Sequence, residues 1–259
     1  MLKKLLKYDF KTLLQTLLPV YGISLILSII SNISIRINEL TPIFRIPSSF
    51  IIGLSILVSV GITFITFVIG IINFYKQTVK DEGYLLHTLP VSKNSIIISK
   101  LISFVTMELA SLIVTLITLL ITIKIEPSQV IETTKNMMQL IGDYKLSAFL
   151  IAIGIFIGQI TNILLIYVSI SFGQKHSTNK LLYSIIYGVV IYNITQVFTT
   201  LIYLPILTND KYVEALNETI PESQILNVMM LIAITMSVII GTVYYILTKK
   251  NLETKLNLE

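Results

Sequence analysis

Residues 46–75 read IPSSFIIGLSILVSVGITFITFVIGIINFY, without one Asp, Glu, Lys or Arg. A helix needs about 20 apolar residues to cross roughly 30 Å of hydrocarbon, and this run exceeds that length. Four further runs, 12–35, 146–174, 181–209 and 223–248, are equally free of charge, and 101–123 carries Glu108 alone. Charged residues make up 13% of the 259 residues, about half the usual share of a soluble domain, too few to coat a globule. The expected fold is therefore an all-α polytopic membrane protein with six transmembrane helices, near 18–33, 50–74, 97–122, 147–172, 181–204 and 224–247. The second, third and fourth are longer than the minimum, so tilt or extension into water is expected.

The run 46–75 ends in a polar insert, Lys76 to Lys100, whose middle reads as a short helix stopped by Pro90. Basic residues decide which side it lies on. Lys3, Lys4, Lys7, Lys11, Lys76, Lys80, Lys93, Lys100, Lys175, Lys180, Lys249, Lys250 and Lys255 fall on one side. Arg36, Arg45, Lys124, Lys135, Lys145 and Lys211 fall on the other, with most of the loop carboxylates. Both termini and the insert are thus expected in the cytoplasm. Before the first span, Leu2, Leu5, Leu6, Phe10, Leu13, Leu14 and Leu17 recur at helical spacing, opposite Lys3, Lys4, Lys7 and Lys11. That is the pattern of an interfacial helix over residues 1–16, with a bend at Pro19 into span one. No cleavable signal pattern is read there, since the basic start lacks a short apolar core with a small-residue cleavage site.

Several chemistries are excluded. There is no cysteine, hence no disulfide, thiolate site or cysteine nucleophile. Neither a phosphate-binding loop nor a nucleophile elbow is present, so no catalytic residue is assigned. The two histidines, His87 and His176, lack a partner at metal-ligand spacing, so no metal is expected. The net charge of +5 is dispersed over membrane flanks rather than gathered on a basic helix, which argues against nucleic acid. Any energy source must be ions or another polypeptide. No internal repeat is read, which weighs against a carrier built from inverted halves, and one membrane domain over 1–259 is the simplest division.

Two features inside the spans are candidates for a pathway or an interface. Glu108 is the ionisable residue within a span, a costly placement unless it is paired, protonated or facing water. It reads either as a gate or substrate contact, or as a structural hydrogen bond within the bundle. In span five, Asn193, Gln196, Thr200 and Tyr203 recur at i, i+3, i+7 and i+10, one polar stripe that either glues helices together or lines a wet path. Gln159 and Asn162 give span four a shorter version, and Gly154 with Gly158 form a small-residue pair read as close packing.

The string Asp81-Glu82-Gly83-Tyr84-Leu85-Leu86-His87-Thr88-Leu89-Pro90-Val91-Ser92, followed by Lys100, resembles the acidic-Tyr-Leu-x-x-Thr-Leu-Pro-hydrophobic-Ser pattern of small bacterial permeases of the ABC-2 exporter type. The six-span layout and amphipathic start extend the resemblance over nearly the whole chain. It implies a permease in the bacterial plasma membrane that pairs with a second permease, identical or paralogous. Each permease would dock a cytoplasmic ABC ATPase that binds ATP and Mg, leaving this chain without a cofactor of its own. By that resemblance Asp81, Glu82, Tyr84, Leu85, Leu86, His87, Thr88, Leu89 and Pro90, within a cytoplasmic segment 76–95, form the coupling helix seated in the ATPase. Spans two and five line the pathway, and residues 205–222, bracketed by Pro205 and Pro221, cap its exit. Extruders of large polysaccharides often carry aromatic belts, whereas this chain has no tryptophan, so the cargo is read as a peptide or small amphiphile. Two other readings stay open: a stand-alone secondary transporter or channel, and a membrane anchor or sensor subunit.

Overall fold

The computed structural model describes residues 2–40, 45–79, 91–123, 127–140, 142–208 and 222–254. These form α1 (Leu2–Leu40), α2 (Arg45–Val79), α3 (Lys93–Ile123), α4 (Pro127–Leu140), a 3-10 turn at Gly142–Tyr144, α5 (Lys145–Gly173), α6 (Lys180–Thr208) and α7 (Glu222–Thr254). No strand occurs among the described residues. Six helices, α1, α2, α3, α5, α6 and α7, are long and apolar enough to cross a membrane, as the charge-free runs predict.

Two local features differ from expectation. α1 continues unbroken through Pro19 for 39 residues, about 58 Å at 1.5 Å per residue. Residues 2–16 therefore belong to the same continuous helix as the first span, with no change of element at Pro19. The proline lacks an N–H, so the carbonyl one turn earlier, that of Gln15, loses its usual donor. The second difference is α4, a helix in a stretch that reads as connecting sequence. Pro127 opens it at the position where a missing N–H costs nothing, and residues 131–136 are all exposed.

By their contacts the described residues divide into two compact units, the first holding 2–77 and 91–135 and the second 78–79 and 136–254. The first gathers α1, α2 and α3. α1 packs along α3, and the two run parallel, with Asp9 opposite Ser99 and Lys100 and Asn32 bonded to the Ile121 carbonyl. α2 runs antiparallel to α3, pairing Ser55 with Thr122 and Thr63 with Thr115. Its Gly70 admits the Phe104 ring so closely that a Cβ there would lie 2.2 Å from it. Leu13, Leu17 and Met107 form a small apolar core with Phe10, Tyr21 and Ile69 around it.

The second unit is built on α5, which packs against both α6 and α7. α5 and α7 are parallel and tied at three levels. Ser147 donates to Asn227 at 2.7 Å, Thr161 to the Ser237 carbonyl at 3.0 Å, and Asn251 to Ser171 at 3.0 Å. Gly241 leaves room for Thr161, whose hydroxyl would lie 3.1 Å from an added Cβ. The α5–α6 turn is tight because Gly173 lies against the backbone of Lys180 and Ser184. Asn179, at φ 50°, takes the left-handed conformation that asparagine tolerates better than most residues.

Candidate functional site

Beside its apolar core, the first unit buries many small polar side chains while large apolar ones lie outside. Its three helices bury Ser24, Ser28 and Ser31, then Ser48, Ser55, Ser59 and Thr66, then Ser99, Ser103, Ser111, Thr118 and Thr122. Ile23, Ile26, Phe50, Leu57, Phe64, Ile113 and Leu116 point outward. Between apolar lipid tails there is no hydrophobic gain in hiding leucine, so small residues and hydrogen bonds hold such helices together. The bonds that cross between helices do so here: Ser55 to Thr122 at 2.8 Å, Thr115 to the Ser59 carbonyl at 3.0 Å, and Asn32 to the Ile121 carbonyl at 2.9 Å.

At the lysine-rich end the seam becomes ionic. Asp9 of α1, Gln77 of α2, and Ser99 and Lys100 of α3 are all buried. Ser99 donates to Asp9 Oδ2 at 2.6 Å, and the Lys100 ammonium lies 3.3 Å from Asp9 Oδ1. Lys100 also donates to Gln77 Oε1, and Gln77 donates to Asn73 at 3.0 Å. Gln77 lies in the last turn of α2 and Lys100 near the start of α3. One charge-assisted knot thus joins the two helix ends that flank residues 80–92 to the first helix. Sequence reasoning missed it, counting Lys100 as a flank charge and giving Asp9 no role.

Glu108 lies two helical turns farther along α3, buried, with Oε1 unpartnered among the described residues. The Tyr21 hydroxyl of α1 lies within its electrostatic reach and beside Thr66 of α2. Glu108 and the stripe on α6 belong to different units. On α6, Asn193, Gln196 and Thr200 are exposed and Tyr203 is half-buried. Asn193 folds back on the Val189 carbonyl at 2.7 Å. The hydroxyl that reaches α7 from this stretch of α6 is instead Thr195, paired with Tyr244, while Thr199 bonds carbonyls of its own helix. Asp81, Glu82, Tyr84, Leu85, Leu86, His87, Thr88, Leu89 and Pro90 lie outside the described residues, as does most of 205–222.

The α5–α6 turn holds a cluster that single-residue reading overlooked. His176 stacks on Tyr183 at 3.7 Å between ring centroids and bonds the Tyr187 hydroxyl at 3.2 Å, while Lys175 sits over Phe172. The spacing of Phe172, His176, Tyr183 and Tyr187 across a short turn was the available signal. Among the described residues no three His, Asp or Glu side chains gather as a metal-binding group.

No protein-family model matches this chain, and neither the curated proteins nor the solved structures compared with it match.

Proposed function

We propose that this chain is the membrane permease subunit of an ATP-driven exporter, with nucleotide chemistry supplied by a separate cytoplasmic ABC ATPase. Asp81 to Leu89 is the coupling segment, stopped by Pro90. Tyr84, Leu85 and Leu89 supply an apolar anchor for a groove, and Asp81 and Glu82 suit a helix N-terminus. In this reading the termini lie in the cytoplasm and the amphipathic start of α1 rides at the inner surface of a bacterial plasma membrane. The chain pairs with a second permease, identical or paralogous, and moves a peptide or small amphiphile outward.

The observation that carries the reading is the knot of Asp9, Gln77 and Lys100. A push on a segment between α2 and α3 reaches the transmembrane body only if the helix ends resist separation. Here Lys100 of α3 bonds both Gln77 of α2 and Asp9 of α1 by buried, charge-assisted contacts. The exposed amides of Asn193 and Gln196 add support, because on a helix of spanning hydropathy such groups call for a protein or water neighbour rather than lipid.

The test is purification in mild detergent with identification of co-purifying subunits by mass. Wild type is expected to retain an ATP-binding partner. Leu85→Lys with Leu89→Glu is expected to lose it while the permease remains inserted, and an intact complex in that variant refutes the docking assignment. A stand-alone cation-driven carrier is favoured by one observation, the unpartnered carboxyl of Glu108. It predicts transport by the purified chain without ATPase.

A further inference from the structure

Within the second unit, α5 and α7 leave between them a cleft of about 320 Å³ that opens to the exterior. Ile157, Ile160 and Leu164 of α5 form one wall, and Val238 and Tyr245 of α7 the other. Gly241, buried and without a side chain, makes the space between them. The threonine hydroxyls at the cleft are committed to backbone. Thr161 bonds the Ile157 and Ser237 carbonyls at 3.0 Å, and Thr242 bonds the Val238 carbonyl at 2.7 Å. No charged side chain lines the cleft. An ordered water needs roughly two to four polar partners, so this space suits hydrocarbon.

We propose that the cleft holds one acyl chain of an anionic membrane phospholipid, whose headgroup phosphate meets the Lys249 ammonium. The lengths agree. From Ser237 to Tyr245 is about 12 Å along α7 at 1.5 Å per residue, most of the roughly 15 Å that one leaflet contributes to the hydrocarbon core. Lys249 follows Tyr245 at i+4, one turn beyond the cleft and on the same face of α7. Its ion pair with Glu253, at 4.0 Å between partly exposed side chains, is a weak surface contact. An ammonium has three N–H groups, so Lys249 can serve a phosphate as well.

Charge selects the occupant. Asn251 meets Ser171 at this end of the unit, so Lys249 and Lys250 share it with Lys175 and Lys180 of the α5–α6 turn. Among the described residues Glu253 is the carboxylate there. A basic rim beside a hydrocarbon-lined cleft between spanning helices fits an anionic headgroup. A second copy of the chain seated here in the same orientation would set its own basic end against this one, a like-charge contact that disfavours it. A zwitterionic lipid fills the cleft equally but gains less from the rim. The site does not depend on the exporter reading.

The test uses the full chain in phosphatidylcholine nanodiscs with a small share of phosphatidylglycerol that carries a photoreactive group midway along one acyl chain. Label is expected in segments 157–164 and 237–245, and unlabelled phosphatidylglycerol should displace it while added phosphatidylcholine should not. Val238→Trp, which fills the cleft from an exposed position, should cut that labelling several-fold. Val243→Trp, exposed on α7 away from the cleft, should leave it unchanged. Lys249→Gln should abolish the preference for phosphatidylglycerol, and Lys249→Arg should keep it. Label spread evenly over the exposed apolar surface, α6 included, overturns the proposal, as does cleft labelling that survives Val238→Trp. Equal displacement by the two lipids overturns the anionic headgroup, and oxidative cross-linking of Val238→Cys chains to each other overturns the lipid occupant. If Val238→Trp does not insert, Thr242→Phe takes its place, and unchanged labelling there overturns the proposal.

Discussion

Asp9 and Lys100 are 91 positions apart in sequence and 3.3 Å apart in space, and both are buried. This pair converts a lysine that looks like a membrane-surface charge into an internal tie between the first and third helices. Removing one member of a buried pair typically costs about 3–5 kcal/mol, because the other charge is left uncompensated. Lys100→Met should therefore lower thermal stability sharply. Asp9→Asn in the same chain should recover most of the loss, since no buried charge remains. Melting curves of the two single variants and the double variant measure the coupling directly; additive losses would mean that the pair is not coupled.

Gly70 and Gly173 should fail differently when changed to alanine. At Gly70 the obstacle is the ring of Phe104, so Gly70→Ala should cost about 1–3 kcal/mol, as overpacking does, and Phe104→Leu should relieve it. At Gly173 the obstacle includes the Ser184 backbone nitrogen at 2.6 Å and the Lys180 carbonyl at 2.8 Å. No side-chain substitution can relieve that, so Ser184→Gly should not rescue Gly173→Ala. Unfolding of the four variants in detergent checks both statements.

The contact between Asn251 and Ser171 is one hydrogen bond within a membrane-type bundle. Its coupling in a double-alanine cycle should be modest, about 0.6 kcal/mol, the average for such bonds. A value above 2 kcal/mol would mean that Asn251 supports more of α7 than this one contact.

The chain lacks cysteine, so single cysteines report without background. Asn193→Cys, Gln196→Cys and Thr200→Cys should either react with a water-soluble maleimide in the membrane or cross-link under oxidation to a second copy of the chain. Ser28→Cys, at a buried position, should do neither. Inert cysteines at all three α6 positions would leave the stripe facing lipid and remove it from both pathway and interface.

Much of the fold was legible because hydrocarbon thickness turns charge-free length into a count of spans. Glu108 was visible for the same reason, as the exception within a run. The knot was not legible, because composition says where a lysine sits along the chain and nothing about which carboxylate it meets 91 residues away. Asp9 was lost among four lysines of an amphipathic pattern. The buried hydroxyls had a signal, with Ser24, Ser28 and Ser31 at i, i+4 and i+7, but serine is neutral on a hydropathy scale and drops out of a reading built on charge. α4 was missed because its mixture of polar and charged residues carries no apolar stripe of spanning length.

The separation of Asp9 from its partners also sets an order of events during synthesis. Its carboxylate bonds Ser99 and Lys100, and neither exists when the first helix leaves the ribosome. At about 5–20 residues per second, on the order of ten seconds pass before they emerge. Through that interval the first helix is held without its inner tie, and the N-terminal unit closes only after the second helix has already turned back across the bilayer.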